Sequence, residues 1–364
     1  LGMAVIDEAF DQWSEQKNPQ DYHLYFKDWW RRDIDSMVLR DRNHPSVIFW
    51  SIGNEIPEAA EPQGVAEAKE IVDEIKRLDD TRLITAAVNP FYKGRMVPWP
   101  ETAPAFKYLD AGGYNYHWND YETDHERFPQ RVMMGTESFP MQAFENWQMV
   151  QKQPYVVGDF VWTGMDYLGE AGIGNAQLNS SVPMLRAPAL KGEILGLPAV
   201  SFALIFADYP WFNAYCGDID LTGEVKPQLF YKRVVWGVSQ LEMAVQRPVP
   251  EGRKELVSAW GWPDELKSWT WPSHEGENLS VRVYSRGDHV RVLLNGREIG
   301  AKAVSEATEF KAEFEVAYAA GELRAVALKD DKPVAEAILK TAGKPARLRL
   351  NPDRESLRPD RNDL

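Results

Sequence analysis

Two glutamates stand where chemistry could be done: Glu55, closing the stretch RDRNHPSVIFWSIGNE that starts at Arg40, and Glu137, closing Gly135-Thr136-Glu137. Each follows a short apolar run, Val47, Ile48, Phe49, Trp50 and Ile52 in the first case and Val132 to Met134 in the second. Apolar runs of that length lacking strict alternation read as parallel strands covered on both faces. In α/β barrels the reactive groups sit where such strands end. One Asn-Glu pair after one apolar run is more often a solvated strand end than a catalytic group. A second carboxylate in the same setting shifts that balance. Glycoside hydrolysis needs such a pair, one protonated to give a proton to the leaving oxygen and one ionised to attack or to activate water. Sequence spacing says nothing of their separation, so retention and inversion both stay open at this point.

Aromatic and polar groups accompany the pair. Tyr114, Asn115 and Tyr116 end one apolar stretch, and Phe160, Val161 and Trp162 end another. A Tyr hydroxyl beside a nucleophilic carboxylate can orient it, and the Trp162 indole can floor a sugar subsite, although either ring could equally be core. His117 is balanced between substrate contact and loop. His44 precedes Pro45 at the opposite end of its strand and reads as structural. Asp7, Glu8, Asp159 and Asp166 also fall near strand ends and rank lower. No Gly-rich phosphate loop, zinc spacing or Ser-His-Asp order stands out.

The elements that must position these groups alternate. Met3 to Ile6 is strand-like, and Asn18-Pro19 reads as a cap and first residue of a helix carrying Leu24, Trp30, Ile34, Met37 and Val38. Val65, Ala68, Ile71, Val72, Ile75 and Leu78 share one helical face, ended by Asp79-Asp80. Strands follow over Leu83 to Val88 and Leu109 to Tyr116, with Gly112-Gly113 marking a bulge or a close backbone approach. A helix around Phe144 to Val150, a strand over Tyr155 to Trp162 and a helix from Pro227 to Trp236 complete the series. Such alternation predicts a parallel sheet. Between Gly169 and Pro210 many Gly and Pro residues fit long loops over a barrel mouth.

Beyond Arg247 the period changes to two: Leu279, Val281 and Val283, then Val290, Val292 and Leu294, then Phe310, Ala312, Phe314 and Val316, then Leu323, Ala325 and Ala327. Asn295-Gly296 is a hairpin signal. The sequence therefore divides into 1–247, an α/β unit, 248–343, an all-β sandwich behind the linker Pro248 to Gly252, and 344–364, a polar linker or the start of a further domain.

At 364 residues the chain can hold two domains, and its net charge of -14 with mixed signs excludes a polyanion-binding surface, hence nucleic acid as a partner. Its 14 Trp, 14 Tyr and 15 Phe lean slightly towards sugar binding. Cys216 is the only cysteine, so an intrachain disulfide or thiolate cluster is excluded. No apolar run is long enough for a membrane span.

The segment RDRNHPSVIFWSIGNE closely resembles the acid/base segment of glycoside hydrolase family 2, the β-galactosidases, β-glucuronidases and β-mannosidases. GYNYH from Gly113, MGTES from Met134 and DFVWTGMDY from Asp159 resemble the family's following strands, and SVRVYS with VRVLLNG resembles the immunoglobulin-like domain behind the barrel of many secreted bacterial β-galactosidases. The resemblance implies a (β/α)8 TIM barrel lacking its first strands, because Met3 to Ile6 matches the third. Either another polypeptide supplies the missing strands or the chain is a fragment. The resemblance further implies a retaining double displacement on a terminal β-linked sugar, with Glu137 as nucleophile and Glu55 as acid and then base. Asn54 would hold the sugar 2-hydroxyl, with Tyr116, His117 and Trp162 as further substrate contacts. Asp7 to Ser14 lacks the Glu and His that hold magnesium in some β-galactosidases, so no metal or cofactor is expected. Ala214 and Cys216 stand near the places where β-glucuronidases carry the Asn and Lys that grip a uronate, which favours a neutral sugar and a β-galactosidase over a β-glucuronidase or β-mannosidase. An inactive or carbohydrate-binding portion that needs the absent N-terminal part is the competing expectation. A periplasmic or extracellular setting is implied by the family alone, and a homo-oligomer is left open.

Overall fold

The computed structural model describes residues 2–92, 95–178, 193–202, 211–352 and 354–356. Six parallel strands lie side by side in sequence order: β1 (Val5–Glu8), β2 (Val47–Asn54), β3 (Leu83–Val88), β4 (Ala111–Asn115), β5 (Val132–Ser138) and β6 (Val156–Val161). Each pairs only with its sequence neighbours, which is the wiring of a β/α barrel. The arc is a partial TIM barrel, with β1 and β6 as edges unpaired among the described residues. Val157 and Phe160 on β6 are 55% and 40% exposed, as expected of a strand lacking a partner.

Helices α1 (His23–Asp41) and α2 (Pro62–Leu78) cover the outside of the arc. Ile34, Val38, Ile71 and Ile75 pack with Trp50, Ile84 and Tyr114 into one core. The apolar face read for α2 is the buried one, with Ala68, Ile71, Val72 and Ile75 inward. In contrast, α1 begins at His23 and not after Asn18-Pro19. The Asp21 carboxylate accepts the backbone N–H groups of Lys17 at 2.8 Å, Asn18 at 2.7 Å and His23 at 3.1 Å, folding residues 17–21 into a turn instead of a first helical turn. Leu24 faces solvent, and Phe26 takes the core position. A short helix, α3 (Tyr121–Arg127), was not evident from periodicity, while α4 (Ala143–Lys152) and α5 (Pro227–Val235) lie where expected.

Gly113 marks a close approach. A Cβ there would sit 2.3 Å from the Ala86 carbonyl oxygen and 2.6 Å from Thr136 Cγ2, so only glycine lets β3, β4 and β5 meet at this level.

Behind the arc lie two four-stranded antiparallel sheets. One runs Glu265–Leu266, Leu241–Gln246, Asn278–Ser285, Lys311–Ala317, and the other Arg297–Ala303, His289–Leu294, Glu322–Lys329, Lys332–Lys340. Val245, Val281, Val283, Val292, Phe314 and Leu323 fill the space between them. Asn295 and Gly296 both have positive φ, 51° and 82°, as a tight hairpin turn demands. Leu241–Gln246 belongs to the sandwich although it precedes the 247/248 boundary read from sequence. Its Leu241, Met243 and Val245 enter the sandwich core and alternate with Glu242, Ala244 and Gln246, so the period of two already begins before Arg247. The stretch Pro248 to Gly252 therefore runs between two strands of one sheet. Along the way Glu255–Val257 pairs with Ala176–Leu178 of the barrel loops before the chain returns to the sandwich at Glu265. Of the loop region Gly169 to Pro210, residues 179–192 and 203–210 lie outside the described residues, as do residues 357–364.

Candidate active site

Both glutamates arrive at one rim. Glu55 follows β2 and Glu137 lies within β5, with β3 and β4 between them. Register shifts fall at this rim, between Ser51 and Asn54 of β2 and between Tyr114 and Asn115 of β4. Such irregularities re-aim side chains at strand ends. Glu55 and Tyr116 also adopt left-handed backbone, φ 50° and 64°, uncommon for residues with a Cβ and worth about 1–3 kcal/mol each in strain. Their N–H groups are satisfied nonetheless, Glu55 by the Ala87 carbonyl at 2.7 Å and Tyr116 by the Glu137 carbonyl at 2.8 Å.

Two consecutive residues at the end of β4 hold the two carboxylates. The Asn115 amide nitrogen donates to Glu55 Oε1 and to Asn54 Oδ1, both at 3.0 Å, while Thr136 Oγ1 donates to Asn115 Oδ1 at 2.6 Å and fixes the amide orientation. The Tyr116 hydroxyl donates to Glu137 Oε2. Its own oxygen accepts the indole N–H of Trp260 at 2.8 Å. Burial, then the negative charges of Glu137 and Glu55, push the Tyr116 phenol far above its usual range, so it remains a proton donor.

Loss of water pushes the Glu137 carboxyl up to about 8, with the Glu55 and Glu8 charges adding to the effect and the Tyr116 hydrogen bond opposing it. Glu8, at the end of β1, accepts Ser51 Oγ at 2.6 Å and is itself raised, chiefly by burial. Asp159 accepts Ser138 Oγ at 3.0 Å and is pushed up to about 6 by burial. Glu8, Glu55 and Glu137 thus act on one another around one mouth, with Asp159 behind Ser138. A cleft of about 630 Å³ opens beside Glu55, lined by Glu15, Gln16, Lys17, Pro57, Asn89 and Phe91.

The other residues singled out from sequence fall in different places. Asn54 joins the network: Nδ2 donates to Asp11 at 3.1 Å, and its carbonyl accepts Lys17 Nζ at 2.9 Å. Trp162 packs in the same aromatic group as Tyr116, Phe139 and Trp260. His117 turns aside, stacked on Trp99 at 4.3 Å and paired through Nδ1 with Asp120 at 2.8 Å. Asp166 is bound to Lys226 at 2.9 Å and to the Gly217 N–H at 2.7 Å, a buried support for the loop carrying Cys216. Burial raises the Cys216 thiol to about 12, which makes it inert. No group of three His, Cys, Asp or Glu side chains suited to a metal occurs among the described residues. Asn115, Thr136 and Trp260 were missed as site residues. Asn115 reads from sequence only as a strand end, and Trp260 lies in a stretch without periodicity, so nothing local signals either role.

Comparison with known proteins identifies the family. Residues 5–172 match the model of the TIM barrel domain of glycosyl hydrolases family 2, and residues 276–335 match a domain of unknown function, DUF4982. The chain belongs to glycoside hydrolase family 2. It is 27% identical to β-galactosidase BoGH2A of Bacteroides ovatus, over all of this chain and 44% of that protein. A putative β-glucuronidase of Formosa agariphila is also 27% identical, over 96% of this chain and 33% of its own length. Among solved structures, a family 2 member from Bacteroides cellulosilyticus superposes with a TM-score of 0.83 at 37% identity, covering 100% of this chain and 43% of that one. The chain thus spans less than half the length of the relatives it matches. No described helix is long and apolar enough to cross a membrane.

Proposed function

We propose that the chain carries the catalytic centre of a retaining exo-β-glycosidase, with a β-galactoside as the favoured substrate. The observation that carries this reading is the division of labour at the end of β4: Asn115 holds Glu55, and Tyr116 holds Glu137. In this reading Glu137 attacks the anomeric carbon while Glu55 protonates the leaving oxygen. Glu55 then removes a proton from the water that releases the sugar. Tyr116 keeps the attacking oxygen oriented, and Asn54 faces the 2-hydroxyl. Trp162 supplies the apolar floor.

A neutral sugar is supported by the loop after residue 210. Ala214 and Cys216 are fully buried in an apolar group with Ile173, next to Trp162 and Tyr167. Lys226, which reaches this loop at the Tyr215 carbonyl, is neutralised by Asp166. The β-galactosidase name of one full-coverage relative points the same way, and the putative β-glucuronidase name of another keeps a uronate as the alternative. The likeness to secreted bacterial enzymes supports a periplasmic or extracellular setting.

The open edges β1 and β6 favour a second reading, in which this portion is inactive until strands from the rest of the same protein close the barrel. A panel of nitrophenyl β-galactoside, β-glucuronide and β-mannoside, run on the isolated chain and on the intact protein, separates these readings. Turnover of the galactoside by the intact protein, lowered by more than about 10³-fold in Glu137→Gln, is expected. Unchanged turnover in that variant rejects the nucleophile assignment.

A further inference from the structure

We propose that Trp260, delivered from the sandwich, is a positioning residue that sets the direction of the Tyr116 proton and thereby the ionisation of Glu137. This rests on the glycosidase reading and adds to it a residue outside the barrel. An indole N–H can only donate. Because Trp260 Nε1 donates to the Tyr116 oxygen at 2.8 Å, the phenolic proton must point elsewhere, and the acceptor it meets is Glu137 Oε2. The result is a one-way chain, indole to phenol to carboxylate, in which the first bond polarises the second.

Trp260 is well fixed for that task. Its ring meets Tyr116 at 5.8 Å, Phe139 at 5.3 Å and Phe202 at 5.9 Å, all steeply inclined. Its backbone is tied down on the barrel side: Ser258 N–H donates to the Asn175 carbonyl at 3.0 Å and Ala259 N–H to the Ser201 carbonyl at 3.1 Å. The adjoining Glu255–Val257 pairs with Ala176–Leu178. The segment between Gln246 and Glu265 therefore leaves the sandwich, docks on the barrel loops, places one side chain and returns. The other groups facing Glu137 from neighbouring elements are Glu55 and Glu8, which both oppose its ionisation, and Asp159 lies beyond Ser138. Tyr116, braced by Trp260, works against them, with a smaller contribution from the Asn115 amide.

The test uses the intact protein with Trp260→Phe, Tyr116→Phe and the double variant. Phe keeps an aromatic ring at position 260 and removes the donor. The acid limb of kcat/KM should move up by roughly half to one pH unit in Trp260→Phe and at least as far in Tyr116→Phe. In the double variant it should move no further than in Tyr116→Phe alone. The same upward movement should appear without any turnover in a 13C NMR titration of carboxyl-labelled glutamates, with the Glu137 signal assigned by its loss in Glu137→Gln. An unmoved Glu137 titration in Trp260→Phe, or shifts that add in the double variant, overturns the inference. If the titration moves while no β-glycoside is turned over, the proposed function falls and the positioning role stands.

Discussion

At the scale of single residues, the site trades stability for chemistry. Glu137 has an ordinary value of 4.5 and is raised to about 8 in the fold. Between those pH values the native state holds a proton that the unfolded chain has released, so stability falls as pH rises through the window. Glu137→Gln should therefore melt at nearly the same temperature as the parent near pH 4.5, and increasingly above it towards pH 8. A melting-temperature gap that stays constant over that range would show that Glu137 titrates normally. For Glu55→Gln the expected loss in kcat on a substrate with a poor leaving group is about 10²–10⁴-fold, with a smaller loss on nitrophenyl glycosides. Equal losses on both substrates would deny it the role of proton donor.

At the scale of elements, the close packing of β3, β4 and β5 under the site gives the clearest expectation. Gly113→Ala drives a methyl into the Ala86 carbonyl and Thr136, and should cost about 3 kcal/mol or more in chemical denaturation. Because Thr136 holds Asn115, activity should fall further than stability alone accounts for. The start of α1 is a milder case. Asp21→Ala removes the acceptor for three backbone N–H groups and should cost about 1 kcal/mol, with no change in kcat.

These elements differ in how far the sequence reveals them. The strands ending in Glu55 and Glu137 carry dense apolar runs, and the hairpin at Asn295-Gly296 carries its own turn chemistry, so both are visible in one dimension. The start of α1 is not. Asn18-Pro19 is a sound capping signal, but the Asp21 carboxylate gathers the N–H groups of Lys17, Asn18 and His23 and folds the segment into a turn. Leu241–Gln246 does carry a period of two, Leu241, Met243 and Val245 between Glu242, Ala244 and Gln246, but it lies ahead of the linker-like stretch Pro248 to Gly252, which hides its membership of the sandwich. Trp260 lies beyond any local rule, because its role depends on a strand pairing between residues about 80 positions apart.

At the scale of the whole molecule, the arc and the sandwich are welded together. Arg286 of the sandwich donates to the carbonyls of Val234 and Val235 at the end of α5, at 3.1 and 2.9 Å, the first of which also accepts the Gly237 N–H at 3.0 Å. Tyr231 of α5 stacks on Trp262 at 5.4 Å and meets Tyr284 at 5.2 Å, in a group that includes Ala143 and Phe310. A calorimetric scan should accordingly show one transition for arc and sandwich; two resolved transitions would contradict this coupling. The free edges β1 and β6 lead to a separate expectation. The isolated chain should associate with rising concentration in light-scattering chromatography, and addition of the remaining barrel strands should suppress it.

The detour between Gln246 and Glu265 also bears on how such enzymes can be recombined. Exchange of a domain needs boundaries where few contacts cross, yet here a strand pairing and an indole reach from the sandwich segment to the barrel rim, in addition to the contacts on α5. A chimera cut at the apparent linker, Pro248 to Gly252, would separate the strand Leu241–Gln246 from its partners and replace Trp260 with whatever the new domain brought. Viable exchanges in this lineage should instead break before Leu241, carrying barrel-facing loop and sandwich as one heritable unit, or leave both in place and vary only the outer sheet.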